Sequence, residues 1–266
     1  MRWLLLVTTV LLACSAPAER VAPSLRSAEP AAASVLPDSS TQLLTVVTSS
    51  WRATEGELRR WERAVGGVWR PVGEATPVVV GRSGLGWGIG LHGDGAPRGG
   101  LTTGEPCKAE GDGRAPAGVF RLDRAFGYAD REPTGLDYLT ATPTTVCIDD
   151  VGSPRYNAVF DAGAAPASLG LSLERMRRDD ALYRIGVVVD HNGGGRGGAP
   201  RAGAGSCIFL HVWRGPGTST AGCTALPDAA LAEALAWLDA PARPALVQLP
   251  APAYDRLAAA WALPPR

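Results

Sequence analysis

Glycine and proline set the first limit on this chain. There are 33 Gly and 22 Pro in 266 residues, about a fifth of the whole, where an average protein carries nearer an eighth. Glycine weakens helix interiors, and proline both removes a backbone donor and clashes one turn back. The content fits a loop-rich β protein better than a helical one, and a predominantly β fold with a few short helices is expected. Short apolar runs bounded by Gly, Pro, Asp or Asn supply the strands: Leu43 to Thr48, Pro77 to Gly81, Val119 to Leu122, Thr144 to Ile148, Ile185 to Val189 and Cys207 to Trp213. Helical spacing predicts helices over Gly56 to Val65 (Leu58, Trp61, Val65), over Ser172 to Asp180, and from an Asp228 cap through Leu231, Leu235 and Leu238 to a stop at Pro241.

The cations narrow the function. Lys plus Arg balances Asp plus Glu at 26 each, and Lys108 is the single lysine. It lies between Cys107 and Ala109, so there is no Gly-Lys-Ser/Thr phosphate loop. A net charge of zero also argues against nucleic acid as a partner, since that binding depends on clustered cations. Gly88, Gly90 and Gly93 have dinucleotide-loop spacing, but Asp94 to Gly100 cannot form the helix that must follow. No cofactor is expected. His92, Asp94 and His191 lack metal-ligand spacing, so no metal is expected either.

The N-terminus reads as an export segment. Met1-Arg2 precedes an apolar run to Ala13, too short to cross a bilayer as a lasting helix. Residues 1–13 are thus expected to be a signal peptide. Leu11-Leu12-Ala13-Cys14 resembles a bacterial lipobox, which makes Cys14 a lipidation site and gives the protein a membrane anchor; ordinary cleavage after Ala16 or Ala18 is the alternative. Either places the mature chain outside the cytoplasm. Residues 14–41, rich in Ala, Pro and Ser, are expected to be a disordered tether, and 42–266 the functional domain.

Chemistry converges on His211 and Cys223. Alternation along Cys207 to Trp213 puts Ile208, Leu210 and Val212 on one face and Phe209 and His211 on the other. Twelve positions on, after a Gly/Ser/Thr loop containing Ser219 and Thr220, comes Gly222-Cys223. An imidazole beside a thiol can yield a thiolate–imidazolium pair that attacks a carbonyl, and the glycine leaves backbone N–H groups open to a developing oxyanion. The competing reading makes Cys223 half of a disulfide in an exported protein and His211 a polar edge residue.

Ile208-Phe209-Leu210-His211 followed by Thr220-Ala221-Gly222-Cys223 resembles the active-site signature of the YkuD-type L,D-transpeptidase domain. Lys108 to Phe120, Phe126-Gly127-Tyr128, Cys147 to Asp150 with Tyr156-Asn157, and Tyr183 through Asn192 are similar to further blocks of that family, in the same order. The resemblance implies a mostly β, YkuD-like sandwich and a cysteine acyl-transfer reaction on peptidoglycan stem peptides. It makes Cys223 the nucleophile and His211 the base, with the tautomer of His211 set by a backbone carbonyl. Transfer to an amine gives a cross-link, whereas water gives carboxypeptidase or amide hydrolase activity; a cell-wall-binding protein without turnover is the reading from another class. The chain departs from the better-studied branch at Ala221, Thr224 and Ala225, positions that help bind substrate.

Cys207 lies four residues before His211 on one strand, about 13 Å away at strand rise, so it is not the thiol that His211 activates. A structural bridge from Cys207 to Cys147 is expected, leaving Cys107 without an assigned role. Lys108, alone among arginines, is a candidate substrate-binding ammonium, and Asp112, between two glycines, a turn former.

Overall fold

The computed structural model describes residues 35–96, 102, 104–193 and 199–266. The expected signal peptide, Cys14 and most of the tether lie outside the described residues. The described residues make one compact unit. Among the described residues no helix is long and apolar enough to cross a membrane.

Among the described residues the fold is predominantly β, with a curled sheet and two short α-helices. It begins with β1 (Gln42–Thr48), β2 (Glu55–Glu62) and β3 (Arg70–Val79), then β4 (Leu85–Trp87), β5 (Ile89–Gly90) and β6 (Gly93–Asp94). The middle holds β7 (Ala115–Arg121), β8 (Arg124–Gly127), β9 (Asp137–Thr140), β10 (Thr145–Ile148), β11 (Val159–Asp161) and β12 (Leu173–Arg175). The last part adds β13 (Ile185–Val188), β14 (Phe209–Val212), β15 (Thr224–Leu226), α1 (Asp228–Trp237), β16 (Ala245–Pro250) and α2 (Ala251–Leu257). Eleven strands form the main sheet in the order β4-β7-β16-β1-β2-β3-β15-β14-β13-β8-β9, and β11-β10-β12 make a separate small sheet.

β1 runs parallel to β16 and antiparallel to β2 near the middle of the sheet. Leu43, Leu44 and Val46 are all fully buried, so the sheet is covered on both faces. That explains why Glu55–Glu62 is a strand and not the expected helix. Leu58 pairs with Val46 and Trp61 with Leu43, on opposite faces. On one, Arg60 reaches Glu233 of α1 at 2.6 Å; on the other, Trp61 Nε1 donates to Thr45 Oγ1 at 2.9 Å. A three-residue spacing of buried side chains therefore arises from two covered faces, not from a helical stripe. Val65, assigned to the same apolar pattern, is 72% exposed.

The helix expected over Ser172 to Asp180 is also absent. Its first half is β12, paired with β10, and the Met176 N–H goes across to Thr145 O at 3.0 Å, not back along its own segment. The helix at Asp228 is present, but Pro227 is its N-cap and Asp228 turns its carboxylate to Arg184. The tether boundary also moves. Leu36 is fully buried in the core, and Arg63 donates to the carbonyls of Pro37 and Ser40, so residues 35–41 belong to the folded unit. The glycine-rich run after Gly84 forms β4, β5 and β6.

Candidate active site

The site is built by two neighbouring parallel strands. In the β14–β15 register Leu210 faces Thr224 and His211 faces Ala225, so Cys223, the residue before β15, falls opposite Phe209. Side chains alternate along each strand, which puts Cys223 and His211 on the same face, one diagonal step apart. Ile208, Leu210 and Val212 enter the main core on the other face. Cys223 joins Phe209, Tyr183, Cys207 and Cys147 in a second buried cluster. Both residues line a cavity of about 1020 Å³, together with Ser219, Thr220 and Gly222.

Backbone groups hold the pair. The His211 Nδ1–H donates to Val212 O at 2.8 Å, which fixes the tautomer and leaves Nε2 as the basic nitrogen. The Cys223 thiol donates to Cys207 O at 3.4 Å, and its sulfur accepts the Phe209 N–H at 3.4 Å. The Tyr183 ring packs edge-on against His211, centroids 5.2 Å apart.

Burial controls the charge state, and it corrects the expected ion pair. Burial pushes the Cys223 thiol up to about 12, with the negative charge of Glu174 adding to it and the Phe209 amide opposing. Burial also pulls His211 down to about 4, against the Val212 carbonyl, which favours the charged ring. Near neutral pH the resting site therefore holds a neutral thiol and a neutral imidazole.

The Gly222 N–H, expected to be open to an oxyanion, is instead bonded to Thr220 Oγ1 at 3.1 Å. The Thr220 hydroxyl donates in turn to Cys223 O at 2.6 Å, so Thr220 locks the turn that presents the thiol. An added Cβ on Gly222 would meet Arg114 O at 3.0 Å, so the turn leaves little room for a side chain there. Ser219 lies at the cavity wall.

A disulfide joins Cys147 of β10 to Cys207, and Cys107 and Cys223 are thiols. Cys207 has φ +54°, a left-handed conformation that an L residue keeps only where its surroundings hold it. Here the Cys207 N–H donates to Asn157 Oδ1 at 2.8 Å, and Asn157 Nδ2 donates to the His191 and Asn192 carbonyls. Just upstream, Glu110 accepts from both Tyr156 (2.5 Å) and Ser206 (2.7 Å). This network positions the Cys207 carbonyl that receives the thiol.

Lys108 also lines the cavity, but its ammonium is buried and donates to Asp112 Oδ1 at 2.8 Å and Ala109 O at 2.6 Å. The structure thus uses it to hold its own loop, in place of the expected substrate contact. Asp112 closes the same turn by accepting the Ala109 and Arg114 amides. His92 and His191 use both ring nitrogens on backbone groups, Val119 N and Gly88 O for the first, Ile89 N and Ala204 O for the second. Among the described residues no cluster of three His, Cys, Asp or Glu side chains is arranged to hold a metal.

Sequence reasoning missed Glu174. It sits on β12 opposite Cys147, partly buried, and accepts the Tyr183 hydroxyl at 2.5 Å. A carboxylate placed on an expected helix gave no sign that it would bond Tyr183 of the thiol's cluster; the alternation of Glu174 and Met176 between exposed arginines was the available signal. Comparison with known proteins adds no relative: no family model matches the chain, and no curated protein is similar to it.

Proposed function

We propose that the chain is a cysteine acyl-transferase of the L,D-transpeptidase kind, with a YkuD-like fold, acting on peptidoglycan stem peptides. The observation that carries this reading is the placement of Cys223 and His211 on one sheet face beside a large cavity, with Nε2 of His211 left as the base. The motif resemblance supplies the substrate class.

The neutral pair suits a concerted start. The Cys223 thiol proton passes to His211 Nε2 as sulfur bonds to the carbonyl carbon that links the L-centre of a diamino acid to terminal D-alanine. With Gly222 N–H occupied by Thr220, the amide of Cys223 itself is the donor assigned to the oxyanion. The carbon–nitrogen bond then breaks, and the leaving amine takes the proton from His211. A second amine attacks the thioester, gives its proton to His211 and releases the thiol, which forms a cross-link; water in its place releases a tripeptide. Rim arginines Arg82, Arg175 and Arg214 line the cavity and suit carboxylate-terminated peptides. Export to the cell envelope, with or without lipid on Cys14, is part of the same proposal and rests on the N-terminal sequence.

Carbapenems offer a strained acyl donor to such a thiol. Intact-protein mass should rise by one carbapenem, mapped to Cys223; an unchanged mass would count against the proposal.

A further inference from the structure

One acid in the wall of the same cavity as the thiol has no part in the mechanism above. Glu174 and Tyr183 are joined by a 2.5 Å hydrogen bond; Tyr183 is buried, and Glu174 is partly buried at the wall of the same cavity. Tyr183 belongs to the same buried cluster as Cys223 and stacks edge-on against both Phe209 (5.6 Å) and His211 (5.2 Å). Glu174 is fixed from behind, since it stands opposite Cys147 in the β10–β12 ladder and Cys147 is bonded to Cys207, whose carbonyl receives the thiol. The phenol and the thiol thus share one buried cluster, and the acid is hydrogen-bonded to its phenol.

We propose that Glu174 and Tyr183 form a positioning pair that sets when the Cys223 thiol ionises, the carboxylate opposing the thiolate and the phenol hydroxyl supporting it. The inference rests on the reading of Cys223 as the nucleophile. A carboxylate close to a sulfur in a low-dielectric cluster repels its anion, whereas an O–H donor within reach stabilises that anion; the two act on Cys223 with these opposite signs. When the proton moves to His211, the Tyr183 O–H can turn from Glu174 Oε1 to the new thiolate, and no group leaves or enters the cluster. Without substrate the carboxylate adds to the burial that already holds the thiol neutral.

Other charges face the same cluster. Lys108 acts on Cys223 from the loop before β7 and favours the thiolate. Arg178 lies 3.9 Å from Glu174, and Asp149 faces it from the end of β10. Arg178, Asp180 and Arg214 face His211. None of these changes in the variants below.

The test is iodoacetamide labelling of the purified full-length protein across pH, with Cys223 followed by peptide mass mapping so that Cys107 is counted separately. In the alkaline range where the thiol titrates, Glu174 is ionised in the wild type and in Tyr183→Phe. Glu174→Gln should move the Cys223 profile to lower pH by roughly half a unit or more, and Tyr183→Phe should move it to higher pH by a similar amount. Glu174→Asp, which keeps the charge, should stay near wild type. A purely structural role would expose the site and shift both variants the same way; that result, or no shift in either, overturns the proposal. Should Glu174→Gln fail to fold, an upward shift in Tyr183→Phe with a wild-type profile in Glu174→Asp still supports it, and any other combination overturns it. The labelling involves no peptidoglycan. Opposite shifts in a protein inactive on stem peptides would therefore refute the proposed function and leave the pair standing.

Discussion

The thiol of Cys223 donates to the backbone carbonyl of Cys207, 3.4 Å away, and the side chain of Cys207 is itself bonded to Cys147. The disulfide thus stands one residue from the chemistry and holds the group that orients the sulfur.

This gives the bridge two measurable roles. It spans 60 residues, and a loop of that size constrains the unfolded chain enough to contribute roughly 2–4 kcal/mol. Cys147→Ala with Cys207→Ala should lower stability in urea unfolding by that amount. It should also reduce turnover, because the left-handed Cys207 backbone loses one of its anchors. Full activity in the double variant would show that Asn157 alone positions the carbonyl.

Thr220 should matter more than its place in a polar loop suggests. Its hydroxyl joins Gly222 N and Cys223 O across the turn, and losing a part-buried pair of this kind costs about 1–2 kcal/mol. Thr220→Val should slow acylation by about tenfold or more, and Thr220→Ser should recover most of the rate. Stopped-flow acylation by a carbapenem reads both.

Stability should fall on mild acidification. Burial holds His92 and His211 down to about 4 and His191 to about 3, while an unfolded imidazole titrates near 6.5. Above 6.5 all three are neutral in both states and the stability is fully present. Between 6.5 and about 4 the unfolded chain takes up protons that the folded chain does not, so stability is lost as pH falls, by about 1.4 kcal/mol per pH unit for each imidazole. The urea midpoint should drop steeply from pH 7 to pH 5; a flat midpoint would contradict the buried neutral rings.

His211→Asn should keep the fold, since the ring lies at the cavity wall, and should cut turnover by roughly 10²–10⁴, as expected for loss of a general base. A steady-state assay with a matched urea curve separates the two effects.

Much of the site was legible because it depends on local alternation. The strand from Cys207 to Trp213 declared its two faces through Ile208, Leu210 and Val212, and that pattern alone aimed His211 correctly. The expected helix over Gly56 to Val65 failed because residues buried on both faces of a sheet imitate helical spacing, as Leu58 and Trp61 do. Glu174 was lost with the other expected helix, whose first half pairs with β10 instead. The charge state was also out of reach, because whether Cys223 and His211 rest neutral or ionised depends on how completely the cluster around Tyr183 excludes water. The Gly222 amide was misjudged because nothing in the order of residues shows that the Thr220 hydroxyl reaches back to it.

The most direct test is to incubate the purified protein with disaccharide-tetrapeptide and identify the products by mass spectrometry. Wild type should release D-alanine and yield a cross-linked dimer, or tripeptide if water is the acceptor, and Cys223→Ala should yield neither. Unchanged tetrapeptide with folded wild-type protein, or product that persists in Cys223→Ala, would contradict the account.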